Sequence, residues 1–458
     1  MTLFGTAGIR GPVDGKVTPS LALSVGQAVG VEGESFVVGR DGRETGAALA
    51  AAVEAGLESA GADVARVGQV PTPALAFASR GRRGVMVTAS HNPPADNGIK
   101  LFVDGVEYDR AGEERVEDRV EAGPELASWD DWGDSDDVDL LPEYQDAVAA
   151  FVRSSVVDGD RDPLADLTVA VDCGTGMASV ATPQVLRALG ADVRALNANV
   201  DGHFPARPSK PKAATLGDLS RFVQEGDVDL AVAHDGDADR IVVLTPDGDV
   251  VHEDTVLAML AEHYVAASDV ADPVVVTTPN ASARIDERVT AAGGRTERVR
   301  LGALHEGIAR EREAGGADTE VAFAAEPWKH VHTAFGGWID GVASAGVLAA
   351  LVAREGGLAT LREPITERPY RKVSVECDDD AKPAAMTTLE STLPEAFPVG
   401  DVDRDYGVRV DLPDGSWVLV RPSGTEPYVR IYAESDAVDV LVATARDVVE
   451  SAIANADR

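Results

Sequence analysis

Cysteine and long apolar runs are both scarce in this sequence of 458 residues. Its two cysteines, Cys173 and Cys377, stand far apart, without CxxC spacing or a neighbouring group of histidines, which excludes a disulfide framework and a thiolate zinc site. The longest weakly polar run, 341–353, is too short to span a bilayer, and the N-terminal segment lacks the features of a secretion signal. We therefore expect a cytoplasmic protein without a membrane anchor.

Positive charge is scarce as well. There are 78 acidic residues against 41 basic ones, of which only seven are lysines, so the net charge is −37 and the pI is near 4.4. Such a surface repels nucleic acid and anionic lipid, and we expect neither partner. The carboxylates are spread over the whole chain, which is typical of a halophilic protein whose charges are screened by concentrated salt.

The order of apolar segments predicts an α/β fold in four domains, since domains usually have roughly 100 to 200 residues. Strands alternate with helices over most of the chain, as in strand 167–171 before helix 178–189. Strands 406–411 and 416–420, joined by a turn at 413–415, indicate an antiparallel end. We predict three α/β domains with mixed sheets and a C-terminal α+β domain, at 1–155, 156–254, 255–368 and 369–458.

The first candidate for chemistry is the segment TASHNP at 88–93, which follows an apolar strand. Ligands of open α/β sheets bind at the carboxyl ends of strands, where the hydroxyl of Ser90 can act as a nucleophile or a phosphoryl carrier. By itself, the segment equally fits a turn in which Ser and Asn side chains bond to the local backbone.

The second candidate is DGDADR at 235–240, directly after another apolar strand. Asp235, Asp237 and Asp239 alternate, so their carboxylates can turn toward one point and offer the hard oxygen ligands that suit Mg²⁺ or Ca²⁺. An EF-hand calcium loop is disfavoured because Arg240 stands where that loop requires glycine and Pro246 where it requires glutamate. A solvated acidic turn is the alternative, although an arginine among the carboxylates argues against it.

The third candidate is RPSGTEP at 421–427, with another arginine three residues on. A bend permitted by glycine presents backbone N–H groups and two hydroxyls between two arginines, an arrangement that holds a dianionic phosphate. An ordinary polar turn fits the segment as well. The residues of this phosphate site would be Arg421, Ser423, Gly424, Thr425 and Arg430.

In this order the three segments resemble the α-D-phosphohexomutase superfamily, which includes phosphoglucomutases, phosphomannomutases and phosphoglucosamine mutases. The resemblance extends through FGTAGIRG at 4–11, GRDGRETG at 39–46 and NGIKLF at 97–102. It implies four domains around a central cleft, each contributing one loop. It also implies interconversion of hexose 1-phosphate and 6-phosphate, with glucosamine, glucose or mannose as the sugar.

The resemblance further implies a role for each residue. Ser90 would carry the phosphoryl group, and one phosphoserine oxygen would share Mg²⁺ with the three aspartates. Lys100 would exchange a proton with the sugar hydroxyl, Arg10 would stabilise the phosphate, and Arg240 would assist either task, with His91 in the same catalytic set. Hexose 1,6-bisphosphate would be the intermediate and activator. The partner would be a small-molecule sugar phosphate, and the protein would be a monomer or homodimer.

The sugar-recognition loop departs from the family pattern, usually GExSGH, because this chain has AEPWKH at 325–330. Glu326 and His330 keep their spacing, which implies contacts with sugar hydroxyls, but Trp328 and Lys329 replace smaller residues. The indole can stack on the sugar face or pack at an interface. The altered loop leaves open a sugar-phosphate-binding protein without turnover and, more weakly, a phosphatase that transfers to water.

Overall fold

The structure of the protein is a computed structural model that describes residues 3–5, 8–124, 126–156, 161–424 and 426–456. The chain divides into two compact units. The first unit is Met1–Val256 with Ala322–Arg362, and the second unit is Leu257–Val321 with Glu363–Arg458. The predicted third domain contributes to both units, and the division into four domains stays a prediction. The predicted fold class is confirmed by the sheets described below.

A mixed seven-stranded sheet opens the first unit. Its elements are β1 (Ile9–Pro12), α1 (Pro19–Gly30), β2 (Ser35–Arg40), α2 (Gly46–Ser59), β3 (Asp63–Gln69), α3 (Thr72–Ala78), β4 (Arg83–Val87), β5 (Asp96–Val103), β6 (Val106–Glu107), α4 (Arg110–Ala122), β7 (Ser135–Asp137) and α5 (Leu141–Val156). The strand order is β1-β5-β4-β2-β3-β7, with β6 paired to β5. Strands β4, β2, β3 and β7 run parallel, and β5 is antiparallel to its neighbours. Strand β4 is therefore interior, and the segment after it emerges at the carboxyl edge of the sheet.

Helices α1 and α2 pack closely because glycines stand at their contact. A Cβ atom at Gly26 would lie 2.3 Å from the carbonyl oxygen of Val53, and one at Gly56 would lie 2.4 Å from that of Leu23. A larger residue at either position would require the backbone to move.

A four-stranded sheet follows. Its elements are β8 (Thr168–Asp172), a 3₁₀ turn (Met177–Val180), α6 (Thr182–Ala188), β9 (Asp192–Leu196), a second 3₁₀ turn (Ala213–Thr215), α7 (Gly217–Glu225), β10 (Leu230–His234), β11 (Ile241–Leu244) and α8 (Glu253–Ala267). The order is β11-β10-β8-β9, and only the β10–β11 pair is antiparallel within this sheet of described residues. The prediction of one helix over 178–189 is wrong. Pro183 lies in the first turn of α6, where its missing N–H is tolerated, so the helix restarts after the 3₁₀ turn.

The second unit begins at Leu257, within α8, and continues with β12 (Asp272–Thr277), α9 (Ala283–Ala291), β13 (Arg295–Arg298) and α10 (Leu304–Ala314). Strands β12 and β13 pair in parallel. The chain then crosses into the first unit along β14 (Thr319–Glu326), β15 (Lys329–Val331), α11 (Gly341–Glu355) and α12 (Leu358–Arg362). Strands β14 and β15 form an antiparallel hairpin. Asp340 caps α11 by accepting a hydrogen bond from the N–H of Ala343 at 2.8 Å.

The last part of the second unit is an antiparallel α+β arrangement, as predicted. Its elements are β16 (Tyr370–Glu376), α13 (Lys382–Ala396), β17 (Asp401–Asp403), β18 (Val408–Asp411), β19 (Trp417–Pro422), β20 (Tyr428–Glu434) and α14 (Val438–Ala456). The strand order is β16-β20-β19-β18-β17. The predicted turn between β18 and β19 is present, with Gly415 at a φ of +79°.

No helix in the described part of the chain is both long and apolar enough to cross a membrane. Cys173 and Cys377 are buried, and neither takes part in a disulfide among the described residues.

Candidate active site

Ser90 lies in the loop that follows β4 and is fully buried. Its φ of +50° is in the left-handed region, which costs a residue with a Cβ atom roughly 1–2 kcal/mol. Its N–H donates to the hydroxyl of Thr88 at 2.9 Å, and its own hydroxyl donates to Oδ2 of Asp235 at 2.8 Å. The loop therefore aims the hydroxyl of Ser90 at the acidic segment after β10.

The three aspartates of that segment are buried, and their donor oxygens lie within 4.8 Å of one another. Oδ1 of Asp237 and Oδ1 of Asp239 accept no hydrogen bond from any described residue. Burial, and then the charges of Asp239 and Asp237, raise the pKa of Asp235. Converging oxygens that lack hydrogen-bond donors fit a hard cation, which would relieve their repulsion. The cluster is an acidic metal-binding triad.

Positively charged side chains lie next to the triad. Nζ of Lys100 is 3.1 Å from Oδ2 of Asp239 and 3.1 Å from Oε1 of Glu107. Burial opposes the charge on Lys100, but Glu107 and Asp239 outweigh it and raise its pKa above the usual range. Nε of Arg240 is 3.5 Å from Oδ1 of Asp239. Lys100 is therefore an ammonium that donates hydrogen bonds to both carboxylates, and Glu107, which nothing in the sequence indicated, helps to hold its proton. The exchange of a proton between Lys100 and the sugar hydroxyl stays a prediction.

Arg10 lies on β1 opposite Gly98, on the same face of the sheet as Lys100 two residues further along β5. A Cβ atom at Gly98 would lie 2.4 Å from the carbonyl oxygen of Thr88 and 3.0 Å from Cγ of Arg10, so only glycine fits between the two. His91 has Nδ1 3.3 Å from the hydroxyl of Ser90. Burial, followed by the charges of Arg240 and Arg10, lowers the pKa of His91 to about 2, so its imidazole is neutral beside the serine.

Arg43 organises the serine loop and was missed by sequence reasoning, although it lies within the motif GRDGRETG. It is 1% exposed. Its Nη2 donates to the carbonyl oxygens of Ser90 and Asn92, each at 2.8 Å, and its Nη1 donates to those of Pro93 at 2.6 Å and Asp96 at 2.8 Å. One guanidinium thus satisfies four carbonyl groups of the loop, which the fixed fork geometry of arginine permits.

Buried hydroxyls connect this arginine to the metal-binding triad. Asp41 pairs with Nε of Arg43 at 3.0 Å and accepts a hydrogen bond from the hydroxyl of Thr88 at 2.7 Å. The hydroxyl of Thr72 donates to Oδ2 of Asp237 at 2.6 Å, and the hydroxyl of Thr88 is 3.3 Å from the same atom. The serine loop and the metal ligands are thus held by one polar network.

The predicted sugar-recognition loop, called the sugar loop below, is the β14–β15 turn and lies beside the metal-binding segment. The backbones of Lys329 and Arg240 form a β-bridge, and Nζ of Lys329 is 3.2 Å from Oε2 of Glu326. Trp328 has a φ of +71°, and its side chain packs against the hydrophobic cluster that includes Leu219. The indole therefore packs within the fold, and its stacking on a sugar stays a prediction. His330 is 1% exposed, and its sugar-binding role stays a prediction.

The proposed phosphate loop belongs to the second unit, between β19 and β20. Nη2 of Arg421 donates to the hydroxyl of Tyr432 at 2.9 Å. A Cβ atom at Gly424 would meet open space. Arg430 is paired with Glu426. Ser423 lies in the bend after β19, and Thr425 lies outside the described residues.

Lys382 supports this loop and was also missed from the sequence. It is 8% exposed and stands at the start of α13. Its ammonium donates to the carbonyl oxygens of Ser423 at 2.8 Å and Glu426 at 2.6 Å. The side-chain oxygen of Ser423 and Nε of Arg421 are buried and have no hydrogen-bond partner among the described residues. Buried polar atoms of this kind are suited to a ligand.

Comparison with known proteins agrees with this arrangement. Models of phosphoglucomutase/phosphomannomutase alpha/beta/alpha domain I, alpha/beta/alpha domain II and the C-terminal domain match residues 1–127, 142–248 and 373–451. A phosphopentomutase of Thermococcus kodakarensis is 41% identical over 95% of this chain and 94% of its own length. A probable phosphoglucosamine mutase of Methanopyrus kandleri is 40% identical over 95% of this chain and 94% of its own. A crystal structure of a phosphoglucomutase/phosphomannomutase family protein from Burkholderia thailandensis superposes with a TM-score of 0.83, at 26% identity, over 100% of this chain and 98% of that one.

Together, the α/β sheets, the buried serine and the acidic triad define a sugar-phosphate mutase, an intramolecular phosphotransferase. The chain belongs to the phosphoglucomutase/phosphomannomutase family, which places it among the hexose-phosphate mutases and confirms the superfamily that its motifs indicated.

Proposed function

We propose that this protein interconverts the 1-phosphate and 6-phosphate of a hexose through phosphorylated Ser90 and a hexose 1,6-bisphosphate. The single observation that carries the proposal is the 2.8 Å hydrogen bond from the hydroxyl of Ser90 to Asp235. It brings the phosphoryl carrier directly to the metal-binding residues. An idle sugar-phosphate-binding protein would have no use for a strained serine held in that position.

Phosphoserine 90 transfers its phosphoryl group to the free hydroxyl of a hexose monophosphate, so that an O–P bond to the sugar forms as the bond to Oγ of Ser90 breaks. The sugar hydroxyl loses a proton and Ser90 regains one, so protons balance. After the bisphosphate reorients, the other phosphate returns to Ser90. The O1 and O6 atoms lie on opposite sides of the ring, which makes the reorientation necessary.

The residues around Ser90 orient and neutralise the transferring group. Asp235, Asp237 and Asp239 would hold Mg²⁺, which supplies Lewis-acid neutralisation of the phosphoryl charge. Lys100 donates hydrogen bonds, and Arg10 and Arg240 add positive charge that favours the dianionic phosphate. Neutral His91 offers hydrogen bonding beside the serine. A phosphate-binding role for the loop 421–430 stays a prediction.

The names of the relatives support two sugars. The probable phosphoglucosamine mutase of Methanopyrus kandleri favours glucosamine 1-phosphate as the substrate. A second candidate is a pentose phosphate, favoured by the phosphopentomutase of Thermococcus kodakarensis and by the altered sugar loop. Lys329 forms an ion pair with Glu326 in that loop. The lysine compensates the charge of the carboxylate, which therefore attracts an ammonium group on the sugar less strongly.

A parallel product assay tests the proposal. Protein loaded with Mg²⁺ and phosphorylated by glucose 1,6-bisphosphate is incubated in concentrated potassium chloride with the 1-phosphates of glucosamine, glucose, mannose, ribose and deoxyribose. We expect a 6-phosphate product from at least one hexose. Turnover of pentose phosphates alone would establish the second candidate instead. Binding without any product, and without phosphate on Ser90 by intact mass, would identify the idle binding protein, and release of inorganic phosphate alone a phosphatase.

A further inference from the structure

Ser344 stands at the centre of a buried hydrogen-bond group next to the sugar loop. It lies in the first turn of α11 and is fully buried. Its hydroxyl oxygen is 2.7 Å from the carbonyl oxygen of Asp340, 3.0 Å from Nδ1 of His330 and 2.9 Å from Nε2 of His332. Three polar atoms therefore converge on one hydroxyl group.

The protons in this group can be assigned from chemistry alone. A carbonyl oxygen only accepts hydrogen bonds, and a serine hydroxyl has one proton, so that proton goes to Asp340. Both histidine contacts must then be N–H groups that donate to the two lone pairs of Ser344. His330 is consequently protonated on Nδ1.

The opposite nitrogen of His330 is left as an acceptor. Burial lowers the pKa of His330 to about 3, so the ring carries only one proton near neutral pH. Nε2 is buried and has no hydrogen-bond partner among the described residues. A buried acceptor without a partner costs about 1–3 kcal/mol, which a ligand that donates a hydrogen bond would recover.

We propose that Ser344 is a positioning residue that holds His330 with its proton on Nδ1, so that Nε2 accepts a hydrogen bond from one hydroxyl of the bound sugar phosphate. The ligand contact rests on the proposed function, whereas the tautomer does not. The proposal sets one requirement for the substrate: the sugar must place a hydroxyl within hydrogen-bond distance of Nε2 of His330. Deoxygenation or fluorination of that carbon removes the donor.

Nuclear magnetic resonance of ring-¹⁵N-labelled histidine tests the tautomer without any activity. The chain has eight histidines, and the signal of His330 is assigned by its loss in His330→Gln. We expect nitrogen shifts of an Nδ1–H imidazole in the wild type and a mixture of tautomers in Ser344→Ala. A proton on Nε2 in the wild type would overturn the proposal, and this measurement needs no variant of Ser344.

Kinetics test the ligand contact. With the wild type, one monodeoxy or deoxyfluoro sugar 1-phosphate should show a KM raised about tenfold with kcat nearly unchanged, the loss expected for one hydrogen bond. In Ser344→Ala, the KM of the same analogue should exceed that of the parent sugar phosphate by less than about threefold. Ser344→Thr, which keeps the hydroxyl, should restore the KM difference of the wild type. The matched control is Ser59→Ala, another buried serine that donates to a helix carbonyl oxygen.

Two outcomes distinguish a failure of the proposed function from a failure of the role of Ser344. If the wild type turns over no sugar phosphate, the proposed function fails, but the resonances of His330 still decide the role of Ser344. If the wild type is active and each deoxy analogue raises KM by the same factor in the wild type and in Ser344→Ala, Ser344 has no positioning role.

Discussion

The hydroxyl of Ser90 lies 2.8 Å from Oδ2 of Asp235, although 145 residues separate them in the chain. The two loops approach this closely because Gly236 lacks a side chain. A Cβ atom at Gly236 would lie 2.7 Å from the carbonyl oxygen of Ser90. The hydroxyl of Ser90 and the metal-binding triad are therefore parts of one site.

Replacing Ser90 by alanine removes the phosphoryl carrier. We expect the kcat of Ser90→Ala to fall on the order of 10³-fold or more, because the reaction cannot proceed without the covalent intermediate. Intact mass after incubation with hexose bisphosphate should show one phosphate on the wild type and none on the variant. Ser79→Ala, a buried serine that donates to the backbone of α3, is the control and should keep both activity and phosphate. Phosphorylated Ser90→Ala protein would contradict the assignment.

Replacing Asp237 by asparagine separates metal binding from stability. The variant removes one of three buried, mutually repelling carboxylates, so the metal-free protein should melt at a higher temperature than the metal-free wild type. Half-saturation by Mg²⁺ should rise roughly 100-fold, and added Mg²⁺ should no longer raise the melting temperature. Chelation of the wild type should abolish activity.

The matched control for Asp237→Asn is Asp201→Asn. Asp201 belongs to a second, mostly exposed group with Glu44 and His203. If Asp201→Asn alters the Mg²⁺ dependence as strongly as Asp237→Asn does, the buried triad is not the site of the catalytic metal.

Replacing Arg43 by lysine keeps the charge but loses the fork that reaches four carbonyl oxygens. We expect kcat to fall on the order of 100-fold, because a small displacement of Ser90 disturbs the alignment for transfer. The free energy of unfolding should fall by about 3 kcal/mol, since one ammonium group cannot replace the donors to all four buried carbonyl oxygens. Denaturant titration and steady-state kinetics measure the two effects. Arg40→Lys, whose arginine donates to the backbone of Asp41 at 3.3 Å, should be nearly neutral.

Acidification should weaken the fold through His330. Burial lowers its pKa in the folded protein to about 3, below the ordinary value of about 6.5, so folding favours the neutral ring. This contribution is complete above pH 6.5 and is lost as the pH falls toward 3. Between pH 7 and pH 5, the wild type should lose about 2 kcal/mol of unfolding free energy relative to His330→Gln. Denaturant titrations in constant high salt measure the difference, and parallel curves would contradict it. The exposed His203, replaced by glutamine, is the control.

Much of the fold was predictable because it depends on local pattern. The strands before Ser90 and Asp235 are short apolar runs, and the loops that follow them are recognisable by Gly, Pro and Asp. The helix over 178–189 was predicted incorrectly because Pro183 is compatible with a first turn as well as with a break. Arg43 could have been found within GRDGRETG, but its function depends on four carbonyl groups about 50 residues away along the chain.

Other parts of the site had no signal in the sequence. Glu107 and Ser344 lie outside every motif named in the sequence. Only folding brings Glu107 to Lys100 and Ser344 to His330. Trp328 was expected either to stack on a sugar or to pack, and the sequence could not distinguish these. The packing of its indole against the cluster that includes Leu219 is a property of neighbouring elements.

By itself, the sequence determined the class of fold and the family and predicted three loops with chemical roles, because strand periodicity, turn residues and short motifs are local properties of the chain. The tertiary structure alone decided which groups complete the site. It decided that Lys100 pairs with Glu107 and Asp239, that Arg43 holds the serine loop and that Nε2 of His330 is buried without a partner among the described residues. These properties arise from burial and from hydrogen bonds between distant segments, whose strength depends on distances that no local pattern contains.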